Sequence, residues 1–212
     1  MPVRIKFCGL TRAEDVAEAE NLGADYVGVI FAGGPRNRSG AEASAILASA
    51  TNATRVGVFG SRTAEDIMRY VSGVPLSVVQ LHRGASVASV AEVRNAGASE
   101  VWAVIPVVDG ELSDDARELF LSADAVVLDT VGANGLGGTG QSFDWSRVAG
   151  RLADIKRTAK LVVAGGLNDG NVQEAIRVLK PDIVDVSSGV ESSPGVKDPK
   201  LMRRFAEAAR SA

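Results

Sequence analysis

Cys8 and Asp129 are the side chains of this 212-residue chain best placed to move protons, because each stands where a short apolar run ends. A free thiol is protonated at neutral pH, with a pKa of about 8.5, and becomes a base only when a nearby cation stabilises the thiolate. Lys6 is such a cation: two residues earlier in VRIKFC, it shares the strand face of Cys8, one pleat deeper. Asp185 stands in the same relation to Ser187 in the last run, so Lys6 and Asp185 are expected to pair beneath the site if the first and last runs are neighbours. The alternative fate of a lone cysteine is a small buried hydrophobe, and that of Asp129 is a capping carboxylate. Asp129 directly follows Val126-Val127-Leu128, so it has passed through a core and emerged at its rim.

The remaining polar candidates suit an anionic ligand. Gly165 and Gly166, and Ser187, Ser188 and Gly189, form short turns after two late apolar runs, and Gly137 to Gly140 form a third glycine-bearing loop that includes Gly138 and Gly140. Such turns let backbone amides approach a phosphate closely, although glycine also serves simply to make tight turns. In Gly33-Gly34-Pro35-Arg36-Asn37-Arg38, Arg36 offers a fork for a carboxylate, while Arg38 reads as a solvated arginine. His82 is the only histidine and has no obvious second metal ligand, so it reads as a hydrogen-bonding wall of a pocket.

The elements that must carry these groups alternate. VRIKFC, DYVGVIF, TRVGVF, LSVVQLH, EVWAVIP, DAVVLD, KLVVAG and DIVDVSS are Val- and Ile-rich, as parallel strands covered on both faces should be. Helix-like stretches separate them, including 12–22, 63–71, 87–96 and 171–179, with a fainter one at 112–121. Thr11 with Glu14, Thr63 with Asp66, and Asn168 resemble helix starts, and Gly23, Gly73 and Gly97 resemble stops. Eight such units at roughly 25-residue spacing predict an α/β fold, one (β/α)8 TIM-type barrel over residues 1–212. An open doubly wound sheet is the alternative, but no GxGxxG follows the first run.

Composition narrows the partners. A net charge of −3 lacks the basic footprint of nucleic-acid binding. Arg4 and Lys6 interrupt the only apolar stretch near the N-terminus, and no run reaches the 18 apolar residues of a membrane span. A cytoplasmic protein with a small-molecule partner, without nucleic acid or membrane, is the expectation. One cysteine cannot form an internal disulfide and supplies no zinc cluster.

Taken in order, several segments are similar to those of the phosphoribosylanthranilate isomerase family. They are Lys6-Phe7-Cys8-Gly9-Leu10-Thr11 with Asp15, Leu22-Gly23-Ala24-Asp25, Pro35-Arg36, Gln80-Leu81-His82 and Leu128-Asp129-Thr130. Gly138-Thr139-Gly140 with Phe143-Asp144-Trp145, Ala164-Gly165-Gly166-Leu167-Asn168, and Asp185 to Glu191 followed by Pro194-Gly195, Lys197 and Asp198 complete the set. The resemblance implies an Amadori rearrangement of a phosphorylated aminosugar with no metal and no organic cofactor. Asp129 would be the general acid on the ribose ring oxygen and Cys8 the base at C2′. Arg36 would hold the anthranilate carboxylate, with His82 and Asp185 at the substrate. The glycine loops at Gly138–Gly140, Gly165–Gly166 and Ser188–Gly189 would hold the 5′-phosphate.

Two departures stand out: Arg83 separates His82 from Gly84, and the loop after the second run is a short Ala32-Gly33-Gly34-Pro35. The competing readings are three. The histidine-pathway isomerase of the same fold uses aspartate at both catalytic ends, where this chain has Cys8. A silent phosphosugar-binding barrel would not need Cys8 and Asp129. A metal-dependent epimerase is disfavoured by the single histidine.

Overall fold

The alternating apolar runs form a closed cylinder of eight parallel strands in a computed structural model that describes residues 2–130 and 142–212. The strands are β1 (Arg4–Phe7), β2 (Tyr26–Phe31), β3 (Thr54–Phe59), β4 (Val78–Leu81), β5 (Glu100–Val107), β6 (Ala125–Thr130), β7 (Lys160–Val163) and β8 (Ile183–Val186). They pair in chain order, and β8 closes on β1 with Lys6 opposite Asp185. The helices are α1 (Ala13–Asn21), α2 (Gly40–Leu47), α3 (Ala64–Gly73), α4 (Val87–Asn95), α5 (Ala116–Ser122), α6 (Trp145–Ala153), α7 (Val172–Leu179) and α8 (Pro199–Arg210). This is the expected (β/α)8 barrel. Among the described residues no helix is long and apolar enough to cross a membrane.

Side-chain parity decides which residues reach the interior. Tyr26, Val56, Val58, Val78, Trp102, Val104, Ala125, Val127, Val162 and Ile183 pack together inside the cylinder, with Trp102 edge-on to Tyr26 at 5.0 Å. The intervening residues face the helices: Phe7 meets Phe205 of α8 at 6.1 Å, and Phe31 stacks on Phe59 at 4.9 Å. Phe31 and Phe59, although they end their strands, therefore belong to the outer layer. Side chains alternate along a strand, so Lys6 and Cys8, Gln80 and His82, Val127 and Asp129, and Asp185 and Ser187 each share one face.

The lower rim is fixed by carboxylates. Asp25, Asp124 and Asp182 accept from the backbone N–H groups of Ile5, Val101 and Leu161 at 2.9, 2.8 and 2.7 Å. Each carboxylate stitches the start of one strand to the residue leading into the next, satisfying an amide that the ladder leaves open.

Several local expectations change. Thr63 does cap α3, accepting from the Asp66 N–H at 3.2 Å. Thr11 does not cap α1; Arg12 occupies that position without a side-chain cap, and the Thr11 hydroxyl donates instead to the Gly195 carbonyl. Asn168 does not cap α7 either. Asn171 precedes that helix, and the Asn168 side chain folds onto the Gly170 N–H at 2.8 Å. Gly23 and Gly97 take positive φ beyond their helices, whereas Gly73 is the last residue of α3. The faint fifth helix is shorter than 112–121, because residues around Ser113 form a turn before Ala116.

Candidate active site

Cys8 stands one residue beyond β1 and Asp129 lies next to the end of β6, so both project at the upper, C-terminal mouth of the cylinder. They line one cavity together with Arg36, Gln80, His82, Gly165, Gly166, Asp185, Ser187, Ser188 and Gly189. Sequence order scatters these groups over six strand ends; closure of the cylinder gathers them. Gly138 and Gly140 lie outside the described residues.

The floor is an ion pair. Lys6 Nζ donates to Asp185 Oδ2 at 2.6 Å, and both side chains are almost wholly withdrawn from solvent. Burial tends to discharge Lys6, but Asp185 and Cys8 more than offset it and keep its pKa raised. The other carboxylate oxygen of Asp185 is buried without a protein partner, as is the amide oxygen of Gln80. Both residues line the cavity, but these two oxygens are themselves covered, so a sugar hydroxyl meets them only if the side chains turn.

Cys8 differs from expectation in one respect. Burial pushes its thiol up, and Lys6, pulling the other way by charge and hydrogen bond, does not overcome it. Room for the sulfur comes from β2, where a Cβ at Gly28 would lie 3.1 Å from Sγ and 3.4 Å from Lys6 Cε. Asp129 is likewise buried, and burial followed by the neighbouring Asp185 charge raises it to about 7. A carboxyl raised that far is a proton donor near neutral pH. His82 is shifted down, first by burial and then by Arg83 and Lys6, and it lines the cavity.

The two late loops are locked against each other and against the acid. Gly165 has φ +77°, and a Cβ there would fall 2.4 Å from the Thr130 nitrogen and 2.9 Å from Asp129 Oδ1. At Gly189 a Cβ would strike the Leu167 carbonyl oxygen at 1.9 Å, so the loop after β8 rests directly on the loop after β7. Asn171 Nδ2 holds the Gly166 carbonyl at 2.9 Å. The two turns are thereby held at a fixed place in the mouth.

Arg36 enters from the loop after β2, but it is not free. Its Nε and Nη2 donate to the two oxygens of Glu191 at 2.8 and 2.6 Å, which raises the guanidinium pKa further. Arg38 does not line the cavity; its Nη1 donates to the Asn37 carbonyl at 2.5 Å. Arg83, the extra residue after His82, lines the rim. Among the described residues no three His, Cys, Asp or Glu side chains come together as a metal-ligand group. Gln80 has no role assigned from sequence, although its position two residues before His82 puts it on the same face. Glu191 is also without a sequence-assigned role, and nothing local links it to Arg36.

The family description "N-(5'phosphoribosyl)anthranilate (PRA) isomerase" matches residues 5–208 of this chain. An N-(5'-phosphoribosyl)anthranilate isomerase of Listeria monocytogenes serovar 1/2a is 39% identical over 207 residues, covering 97% of this chain and 98% of the relative. The phosphoribosyl anthranilate isomerase of Thermotoga maritima superposes with a TM-score of 0.88 at 33% identity, covering 99% of this chain and 100% of that one. A phosphoribosyl anthranilate isomerase solved in complex with reduced 1-(o-carboxyphenylamino)-1-deoxyribulose 5-phosphate superposes at 0.85 and 32% identity, with 99% and 100% covered.

Proposed function

This chain belongs to the N-(5′-phosphoribosyl)anthranilate isomerase family, and on that premise we infer that Cys8 and Asp129 divide its chemistry as base and acid. The reaction is the Amadori rearrangement of N-(5′-phosphoribosyl)anthranilate to 1-(2-carboxyphenylamino)-1-deoxyribulose 5-phosphate, an aldose–ketose isomerisation in tryptophan biosynthesis. The observation that carries the division of roles is that a buried thiol and a carboxyl raised to about 7 line one cavity.

Asp129 gives its proton to the ribose ring oxygen while the anthranilate nitrogen pushes open the C1′–O bond, leaving an open-chain iminium. Cys8 as thiolate removes the C2′ proton, and the C–H electron pair neutralises the iminium to form the enolamine. A proton added at C1′ and the C2′ hydroxyl proton given up give the ketose. Acid and base act in turn on one sugar, so each needs to be within reach of a single bound ribose. Asp185 and Gln80 form the cavity wall beside the ribose hydroxyls. The loops at Gly165–Gly166 and Ser188–Gly189 hold the phosphate, with Ser187 beside them. Gly138 and Gly140 are assigned to the same phosphate by resemblance. We place the enzyme in the cytoplasm, where a multiply charged sugar phosphate is retained, and treat residues 1–212 as one catalytic unit.

Arg36 holds the anthranilate carboxylate through the guanidinium edge that Glu191 leaves open. The contact is present in ground and transition states alike, so Arg36→Ala should raise KM by about 10- to 100-fold and change kcat little, the range for one charged hydrogen-bonded contact. An unchanged KM in a steady-state assay removes Arg36 from the site. Inorganic phosphate should compete with substrate at millimolar concentration through the β7 and β8 loops. Insensitivity in the same assay counts against that placement.

A further inference from the structure

Arg36 is one end of a charge chain that runs behind the cavity wall through Glu191 to Lys197. After β8 a short 3-10 turn (Ser188–Val190) leads into an antiparallel hairpin, β9 (Glu191–Ser193) and β10 (Val196–Lys197), in which Lys197 pairs with Glu191. Lys197 is 1% exposed. Its Nζ donates to Glu191 Oε1 at 2.9 Å and to the Ser187 carbonyl at 3.0 Å. The same Glu191 oxygen receives Arg36 Nε, so one carboxylate serves two cations. Neither Glu191 nor Lys197 lines the cavity.

The hairpin is anchored on both sides. Its tip lies on the Arg36 loop, where a Cβ at Gly195 would be 3.6 Å from the Pro35 carbonyl, and the Thr11 hydroxyl holds the Gly195 carbonyl. Its end is held by the start of α1: Arg12 Nη2 donates to the Lys197 carbonyl at 3.1 Å and is itself bound to Asp15 at 2.5 Å. Arg36 is therefore oriented by a strap that spans the loops after β1, β2 and β8.

The charge count gives the strap a purpose. Arg36 with Glu191 alone would be a neutral pair with little net pull on a carboxylate. Burial lowers the Lys197 pKa and Glu191 draws it back up; in its charged form Lys197 restores one positive charge from behind, in a setting of low dielectric where it is felt across a few ångströms. The guanidinium commits Nε and one Nη2 hydrogen to Glu191, which leaves both Nη1 hydrogens and the second on Nη2 for a ligand. We propose that Glu191 and Lys197 are positioning residues that aim the free edge of Arg36 and keep it net positive, so that the β9–β10 hairpin sets the preference for a carboxylate-bearing aryl group. This rests on the reading of Arg36 as the carboxylate holder.

The test compares N-(5′-phosphoribosyl)anthranilate with the corresponding aniline compound, which lacks only the carboxylate. Lys197→Met, which removes the positive charge, and the charge-conserving double variant Glu191→Gln/Lys197→Met, which removes only the aiming, should each raise KM for the anthranilate compound by about 10-fold, the scale of one charge-assisted contact, with the KM for the aniline compound nearly unchanged; the loss of the Lys197 charge beside the Cys8 thiol falls on kcat for both compounds alike. In an Arg36→Ala background the double change should add nothing to KM. Equal rises in KM on both substrates, or an additive rise in that background, overturn the proposal while leaving Arg36 in its role. If Arg36→Ala itself treats the two substrates alike, the reading of Arg36 falls and this one with it. Should Lys197→Met not fold, the polar Lys197→Gln takes its place in both comparisons.

Discussion

Asp129→Asn and Cys8→Ala should each lower kcat/KM by about 10²- to 10⁴-fold, the usual contribution of a positioned acid or base, while substrate binding persists. The two differ in how they affect stability. The Asp129 carboxyl moves from an ordinary 3.8 to about 7 on folding, so the folded chain holds its proton where the unfolded chain has released it. For a raised acid pKa, stability is greatest below the unfolded value and declines as pH rises through the folded one. The difference is worth on the order of 4 kcal/mol, and an asparagine side chain, which does not ionise, avoids it. Asp129→Asn should therefore be more stable than the parent at pH 8, with the two converging near pH 4, as read by denaturant midpoints at both pH values. Equal midpoints at pH 8 would show that burial does not perturb Asp129.

The same pair sets the pH profile. The working state, thiolate with carboxylic acid, has one proton between two groups and is the minority arrangement of that proton, because burial places the thiol above the carboxyl. Activity should rise on a limb near pH 7 and fall on a second limb above the ordinary thiol range; the limbs belong to the coupled pair. A rising limb in the ordinary carboxylate range would reverse the assignment.

Lys6→Met is expected to have the second largest effect. It leaves the Asp185 carboxylate, 6% exposed, without its cation. Removing one partner of a buried pair costs about 3–5 kcal/mol, read by the denaturant midpoints of the two proteins. Lys6 also draws both Cys8 and Asp129 downward, so its removal should move the rising limb to higher pH. Loss of stability with an unmoved limb would make Lys6 a structural residue only.

How much of this is legible in the sequence depends on how far each contact reaches along the chain. Parity within a strand is local, so the Lys6–Asp185 pair, the mouth position of Asp129 and the place of His82 follow from two-residue spacing once a closed barrel is assumed. The barrel itself follows from eight apolar runs that need cover on both faces. Helix caps are less legible: Thr11 is the right residue type, but a contact with Gly195 across the fold takes its hydroxyl. The direction of the Cys8 shift is hidden because Lys6 is visible in sequence, whereas the apolar wall around the sulfur comes from several strands. Glu191 escapes notice because its partner Arg36 is 155 residues away.

The ion pair at the barrel floor joins residues 179 positions apart, one on the first strand and one on the last. A chain still being synthesised therefore carries a lysine destined for the interior long before its counterion exists. Until the eighth strand arrives, that ammonium favours water and resists being enclosed. Premature collapse of a partial barrel is thus disfavoured by the same group that later underlies the proton chemistry, and the floor of the site is complete only once the final strand is in place.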